Sequence, residues 1–242
     1  MKKLLGIITL LLMTITFSSC NGNFNLINGI EGSGNVITEK RNITTPFTKI
    51  SASTGIEVVL EQASSSDIEV EVDDNLMQYI VTKVENGTLI VKIDGNINTM
   101  ETAIVRIKNN VFESLESSSG ASIKSINKIS GTKLSIKSSS GSTIKADIEF
   151  ENVNCESSSG SEIEVSGKAL TLDTKSSSGS DLNAKNLAAN EITSQSSSGS
   201  HTLVNPIVLL NAKASSGSSI NYVKEPKKVI KEESSGGSVS FN

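Results

Sequence analysis

The sequence Ser117-Ser118-Ser119-Gly120 recurs along the second half of the chain and decides the fold. It returns at 138–141, 157–160, 176–179 and 196–199, and in shortened form as Ala214-Ser215-Ser216-Gly217 and Glu233-Ser234-Ser235-Gly236. The seven glycines are separated by 21, 19, 19, 20, 18 and 19 residues. A period held this closely predicts a repeat architecture, in which each repeat stacks on the next.

Apolar residues recur at fixed distances from each glycine. Seven residues before it stand Leu134, Val153, Leu172, Ile192, Leu210 and Val229, and three residues after it Ile123, Ile144, Ile163, Leu182, Ile220 and Val239. In the repeat of His201, Leu203 stands one place late. A third, looser column comprises Ile148, Val165 or Leu187, and Ile207. Because roughly 19 residues hold three short strands and three corners, we predict an all-β, right-handed parallel β-helix (β-solenoid).

The tetrad lies between the two firm columns, where the chain must turn a corner. We expect glycine there because a Cβ would obstruct the bend. Stacked serines are expected to hydrogen-bond to the equivalent hydroxyls above and below, forming ladders along the axis. This structural role explains the motif without any chemistry.

The N-terminus is typical of an exported protein. Met1-Lys2-Lys3 precedes an apolar run from Leu4 to Phe17, which predicts a signal peptide over residues 1–19. Phe17-Ser18-Ser19-Cys20 resembles the lipobox of bacterial lipoproteins, so Cys20 is the predicted site of lipidation by fatty-acyl chains such as palmitate. An ordinary signal peptide with a chance cysteine is the alternative. Cys155 then has no disulfide partner, and we expect it to be a small buried residue.

The mature chain divides into three parts. Residues 20–34 are predicted to form the lipidated N-terminus and a tether rich in Asn and Gly. Residues 35–108 are predicted to form a head made of the first β coils, with one short helix over 75–83. Residues 109–242 contain the solenoid repeats.

From about Gly32 to the C-terminus, including the Ser/Gly repeats, the chain resembles a known family. The residues that carry the likeness are Gly32-Ser33-Gly34-Asn35, Arg41, Phe47, Ile50, Gly55-Ile56-Glu57-Val58, Glu61-Gln62, Asp74-Asn75 and Asn86-Gly87-Thr88-Leu89. In this order and spacing they look like the head GIN domain of putative auto-transporter adhesins, although Gln62-Ala63 stands where that family has Gln-Gly. The resemblance implies an exported envelope protein with a β-helical body.

Composition argues against several kinds of partner and cofactor. Without Lys2 and Lys3 the chain has 20 basic and 26 acidic residues, a net charge of −6, which gives no attraction for nucleic acid. Aromatic residues make up only 3% of the chain, so few anchors for small ligands exist. Asp73-Asp74-Asn75 could contribute to a calcium site, but a turn and helix N-cap is the favoured interpretation. We therefore predict no cofactor and no metal.

Catalytic residues are not recognisable in the pattern. His201 is the sole histidine, and we expect it to point outward like Thr143, Glu162, Asp181 and Ser219 in other coils. Carboxylates are scattered, whereas polysaccharide-cleaving enzymes need them paired or clustered. The favoured interpretation is a non-enzymatic envelope lipoprotein that presents a solenoid surface for adhesion, with a protein or glycan partner. A carbohydrate-active β-helix enzyme and a purely structural envelope component are the alternatives.

Assembly and location follow from the ends of the chain. We expect the head to cover one end of the solenoid, and the charged segment around Pro226 with Lys231, Glu232 and Glu233 to protect the other. A monomer is therefore predicted. With Cys20 lipidated, the chain would be anchored to a bacterial membrane in the cell envelope, the outer membrane being the predicted one.

Overall fold

The computed structural model describes residues 29–242. They form a β-solenoid of about 7 turns with about 19 residues per turn, which confirms the predicted fold. The predicted signal peptide, Cys20 and the part of the tether before residue 29 lie outside the described residues.

Nineteen strands and one 3-10 helix make up this part of the chain. The strands are β1 (Ile30–Glu31), β2 (Val36–Lys40), β3 (Lys49–Ser53), β4 (Glu57–Gln62), β5 (Asp67–Asp73), β6 (Ile80–Glu85), β7 (Thr88–Ile93), β8 (Ile97–Thr99), β9 (Ala103–Asn109), β10 (Ser114–Ser117), β11 (Ser122–Ser125), β12 (Ile129–Ser138), β13 (Thr143–Ser157), β14 (Glu162–Ser176), β15 (Asp181–Ser196), β16 (His201–Ala214), β17 (Ser219–Tyr222), β18 (Lys228–Glu233) and β19 (Ser238–Phe241). The 3-10 helix spans Asp74–Tyr79.

Each coil has three sides, which we name by their position relative to the serine corner. Face A precedes the corner, face B follows it, and face C joins B back to A. In the coil that β13 forms, face B is 143–146, face C is 148–150 and face A is 152–157, and each pairs in parallel with its equivalent in β14. Parallel pairing at a strand spacing of about 4.8 Å stacks equivalent residues of successive coils.

The two predicted apolar columns form the core. Leu134, Val153, Leu172, Ile192 and Leu210 are buried and in register, with Val229 partly buried beside them. The second column is also in register, but its member in the His201 coil is Thr202 rather than Leu203. Thr202 is fully buried and Leu203 lies half-buried on the outside. The expectation for Leu203 was wrong because side chains alternate between the core and the solvent along the strand. The distance from the corner, and not the residue type, decides which position faces the core.

The third column also differs in detail from the expectation. Ile148 pairs with Gly167, which pairs with Leu187, whereas Val165 pairs with Ala146 in another column. Gly167 has a φ of +112°, and a Cβ there would lie 2.0 Å from the carbonyl oxygen of Ile148. This glycine is therefore required by both conformation and space.

The head adds two parallel layers to the stack and then closes it with antiparallel strands. β3 and β4 stack on β10 and β11, and β7 and β9 stack on β3 and β4. Beyond them, β6 pairs antiparallel with β7, β5 with β9, and β2 with β5. The short helix expected over 75–83 is a 3-10 helix that ends at Tyr79, because the alternating residues from Ile80 onward pair with β7 as a strand.

Asp73, Asp74 and Asn75 bind the first described segment of the chain to the head. Asp73 stands at the N-cap of the 3-10 helix without capping it; its fully buried carboxylate accepts the amides of Gly34 and Glu101 at 2.6 and 3.0 Å. The Asp74 carboxylate accepts the Ser33 hydroxyl at 2.6 Å and the Asn35 side-chain amide at 2.9 Å. The expected N-cap is thus replaced by a clamp on residues 33–35.

Charged side chains form hydrogen bonds with backbone groups at the C-terminal end of the stack. The last coil consists of β18 and β19. Glu233 accepts the amide of Val239 at 2.5 Å, and the Lys231 ammonium donates to the Val239 carbonyl at 3.0 Å. Lys231 also lies 5.0 Å from the ring centroid of Tyr222. These bonds satisfy part of the strand edge that would otherwise be open.

Candidate binding groove along the serine corner

The corner is a tight turn that repeats in every coil. In Ser177-Ser178-Gly179-Ser180 the Ser180 amide bonds to the Ser177 carbonyl at 3.3 Å, and Ser178 and Gly179 have φ of +54° and +67°. Two successive positive φ angles define a type I′ turn. No atom lies within 4 Å of a Cβ built on Gly179. The glycine is thus needed for its backbone conformation, and the expectation of steric obstruction was wrong.

Two serines per corner face inward. They are the first of the tetrad and the residue after glycine, and both are buried in the coils of β13, β14 and β15. Ser161 bonds to its own coil at the Ser157 hydroxyl (3.0 Å) and to the preceding coil at the Ser138 carbonyl (2.7 Å). The serine after glycine was missed in the sequence, although it recurs at Ser142, Ser161, Ser180, Ser200 and Ser218.

Equivalent hydroxyls bond to each other at only a few positions among residues 29–242. Ser176 and Ser196 do so at 2.8 Å, and Thr174 donates to Ser194 at 2.8 Å. Ser176 also lies 2.7 Å from the Thr202 hydroxyl, so the threonine in the core column has a partner. At Ser142, Ser161 and Ser180 the predicted hydroxyl ladder is replaced by bonds from the serine hydroxyl to a carbonyl of the preceding coil.

A groove runs along face A beside the corner. Two cavities of about 240 and 460 Å³ share Glu156 and Ser158, and together they extend from Ser51 to Ser215. The groove is lined mainly by the first two serines of the tetrads and by the residue that precedes each tetrad. With seven coils at about 4.8 Å spacing, the groove is on the order of 30 Å long.

Charges of opposite sign alternate along one wall of the groove. The residues in register are Glu116, Lys137, Glu156, Lys175, Gln195, Lys213 and Glu232. Lys137 pairs with Glu156 at 3.5 Å and Lys213 with Glu232 at 3.0 Å. Alternation avoids like charges in adjacent strands. It also leaves the groove nearly neutral, so it offers no net attraction for a polyanion.

His201 lies outward on face B, as predicted. Its Nδ1 is 2.6 Å from the hydroxyl of Ser219 in the next coil. The backbone amide of Ser219 donates to the Ser200 carbonyl between stacked coils. This amide is therefore not free to stabilise an oxyanion. The pair is open to solvent, and Asp181 lies in register on its other side without an ion pair to His201 in the part of the chain described.

Neither the buried cysteine nor the possible metal ligands form a reactive site among the described residues. Cys155 is fully buried, and desolvation raises the pKa of its thiol to about 12, in line with the expected structural residue. Cys20 lies outside the described residues. Within 29–242, His, Cys, Asp and Glu form no group of three or more that could hold a metal ion. The same residues contain no helix that is both long and apolar enough to span a membrane.

Comparison with known proteins finds a matching family and several solved structures of the same fold. The family model described as putative auto-transporter adhesin, head GIN domain, matches residues 46–226. A crystal structure of a putative adhesin from Bacteroides fragilis superimposes with a TM-score of 0.80 at 21% identity, covering 88% of this chain and 99% of the other. A putative adhesin from Parabacteroides merdae gives 0.73 at 19% identity, covering 88% and 98%.

A third solved structure carries a different description. The putative lipid binding protein from Parabacteroides distasonis gives a TM-score of 0.72 at 19% identity, covering 88% of this chain and 99% of that one. No curated protein matches the chain. At these identities the structural likeness shows a shared fold.

Proposed function

Because this chain belongs to the family of putative auto-transporter adhesins with a head GIN domain, we propose that it is a non-enzymatic, lipid-anchored adhesin of the cell envelope. The groove along face A holds an extended glycan chain, and Cys20 carries the lipid that attaches the protein to the outer membrane.

The observation that carries this proposal is the continuity of the groove. Successive coils present serines in register, beside a row of alternating acidic and basic residues, so a chain lying along the axis meets a recurring set of polar partners. Ser158 and Ser177 are half-buried residues that line the groove, and their hydroxyls have no hydrogen-bond partner in the described part of the chain. Repeat proteins commonly bind through such extended surfaces.

The chemistry of the lining favours a hydrophilic, uncharged or zwitterionic polymer. Serine hydroxyls both donate and accept, while Glu156 accepts and Lys175 donates, as sugar hydroxyls require. A coil spacing of about 4.8 Å is close to the length of one sugar residue in an extended chain. No aromatic residue lines the two cavities, so each sugar is held by hydrogen bonds and affinity grows with chain length.

Binding is tested with the purified mature chain, without its lipid, on a panel of soluble glycans of increasing length. Ser177→Gln fills the groove with a longer polar side chain and is expected to lower affinity for long glycans at least tenfold. Asn183→Gln is the matched control, since Asn183 is equally half-buried but lies on face B. It should bind as the unmodified chain does.

Three results would change this proposal. Equal binding by Ser177→Gln and the unmodified chain would place the glycan elsewhere. Cleavage of a bound glycan would make the protein a carbohydrate-active enzyme. Binding to no glycan at any length would leave a structural envelope component as the better interpretation.

The anchor is tested separately in cells. Incorporation of a fatty-acid probe into the protein is expected, and Cys20→Ala should abolish it. Membrane fractionation and protease treatment of intact cells then place the protein. Labelling that persists in Cys20→Ala would refute the lipidation site, and a protein found in another membrane would refute the proposed location.

A further inference from the structure

The first described residues of the chain, 29–35, lie at the head end of the stack and are hydrogen-bonded to it. Gly32 donates to the Thr99 carbonyl at 2.8 Å, and the Asn75 side chain donates to the Glu31 carbonyl at 2.8 Å. Together with the Asp73 and Asp74 contacts, these bonds fix residues 31–35 to β8 and the 3-10 helix. The 3-10 helix connects β5 to β6, which belong to the antiparallel strands that close the head end of the stack. β8 pairs in parallel with β1 in a separate two-stranded sheet.

Exposed apolar side chains lie beside these first residues. Val36 and Ile37 belong to β2, the outermost strand of face B at the head end, and are 40% and 37% exposed. Met100, 37% exposed, lies between Thr99, which binds Gly32, and Glu101, which binds Asp73. We call Val36, Ile37 and Met100 the head patch. An edge strand that shows apolar residues on both sides is unusual unless something covers it.

The short stretch of chain between the predicted anchor and Gly29 limits how far the head patch can lie from a lipid surface. Eight residues, 21–28, separate Cys20 from Gly29. Fully extended they span at most about 30 Å, at about 3.3–3.6 Å per residue. The C-terminal coil lies about seven coils away, on the order of 34 Å along the axis. An anchored chain therefore keeps the head close to the lipid surface while its far end can stand clear.

We infer that the head patch contacts the lipid bilayer, so that the solenoid stands on its head end with the groove running away from the membrane. This inference rests on the proposed lipid anchor at Cys20. Acyl chains hold the protein at the surface, and the three apolar side chains enter the interface beside the point where the chain leaves the head. The clamp on residues 33–35 transmits this orientation to the rigid solenoid.

The orientation is measurable with the lipidated full-length chain in phosphatidylcholine vesicles that contain a headgroup-attached quencher. Single cysteines are introduced as Ile37→Cys, Met100→Cys, Leu170→Cys and Phe241→Cys and labelled with a fluorophore. Cys155 is fully buried with a raised thiol pKa, so it stays unlabelled. Leu170 and Phe241, 53% and 57% exposed, are controls on face C and at the C-terminal end.

Probes at 37 and 100 are expected to be quenched severalfold more than those at 170 and 241. Adding Val36→Ser to the Met100→Cys protein should reduce quenching without changing fatty-acid labelling. Equal quenching at all four positions, or the strongest quenching at 170 or 241, overturns the inference while the anchor stands. A lipidation-competent chain that never associates with vesicles refutes the anchor and this inference together.

Discussion

Ser161 joins two coils of the solenoid through a single hydroxyl, which donates to the carbonyl of Ser138 in the preceding coil at 2.7 Å. The same hydroxyl accepts the Ser158 amide of its own turn at 3.1 Å. Ser142 and Ser180 repeat the cross-coil bond with Ser117 and Ser157, each at 2.8 Å. In these three corners the serine after the glycine therefore ties the corner to the one before it, in addition to the strand ladder.

Removing this hydroxyl should destabilise the solenoid moderately. We expect Ser161→Ala to lower the free energy of unfolding by about 0.5–1.5 kcal/mol, the usual net worth of a buried hydrogen bond. Chemical denaturation measures it. Ser158→Ala, in the same turn but with a half-buried and unbonded hydroxyl in the described structure, should change stability by only a few tenths. A smaller loss for Ser161→Ala than for Ser158→Ala contradicts the assigned role.

The third serine of each tetrad adopts a left-handed conformation that serine does not favour. Ser178 has a φ of +54° and is exposed. Asparagine is more tolerant of this region and precedes glycine in favoured type I′ turns. Ser178→Asn should therefore raise the melting temperature, by an amount corresponding to about 0.5–1 kcal/mol. Ser177→Asn, one residue earlier and without a positive φ, should give no gain; equal effects at both positions would argue against this explanation.

Gly167 should tolerate substitution far less than a corner glycine. Gly167→Ala places a Cβ 2.0 Å from the Ile148 carbonyl oxygen at a φ of +112°, so we expect a loss of about 3 kcal/mol or more. Gly160→Ala is the matched control, since its φ is +67° and its surroundings are open. Its cost should be about 1–2 kcal/mol, from backbone conformation alone. Thermal unfolding of both variants provides the comparison, and similar losses would show that space at Gly167 does not matter.

The clamp on residues 33–35 should weaken in acid. Hydrogen bonds from Ser33 and then Asn35 hold the pKa of Asp74 below its ordinary value of 3.8. Because the folded pKa is lowered, the clamp is fully stabilised above the ordinary value and loses this contribution as the pH falls through the lowered one. Amide exchange or proteolysis at residues 29–35 should accelerate in that window. Asp74→Asn should weaken the clamp already at neutral pH and remove this pH dependence; an unchanged acid profile would exclude Asp74 as the titrating group.

Glu233 should keep the last coil from pairing with other chains. It stands where the other coils have the buried first serine or Ala214, and its carboxylate occupies the Val239 amide at the end of the stack. Glu233→Ala frees that amide at an open strand edge, which favours pairing with a second strand. Light scattering should show oligomers that the unmodified chain does not form. Glu232→Ala, which removes only an exposed ion pair with Lys213, should remain like the unmodified chain. A monomeric Glu233→Ala would mean that other features protect the end.

The repeat was readable because its signals are local. Leu134, Val153 and Leu172 recur at a fixed distance from glycine, and alternation places them on one side of each strand, so their stacking follows from spacing. His201 on the outside and Cys155 in the core followed from the same alternation. Leu203 is apolar and was expected in the column, but alternation along the strand puts Thr202 inside.

The binding groove and the clamp were not readable in the same way. The groove depends on how far the Ser158 and Glu156 side chains stand out from adjacent coils, which a list of spacings does not contain. The clamp joins Gly34 to Asp73 across 39 residues, and no periodicity connects them. The local sequence of Asp73-Asp74-Asn75 predicts a turn and a helix N-cap, whereas in the structure the Asp73 carboxylate accepts two amides that are distant in the sequence.

The sequence alone determined that the chain is a β-solenoid of about 19 residues per turn, because a recurring glycine and two recurring apolar positions leave one way to bury the core. The tertiary structure decided the partners of each polar group. Ser161 meets Ser138 and not its equivalent, Ser142, because the type I′ turn aims its hydroxyl at a carbonyl of the coil before it. That direction arises from backbone angles of the stacked corners, which exist only once the coils have formed.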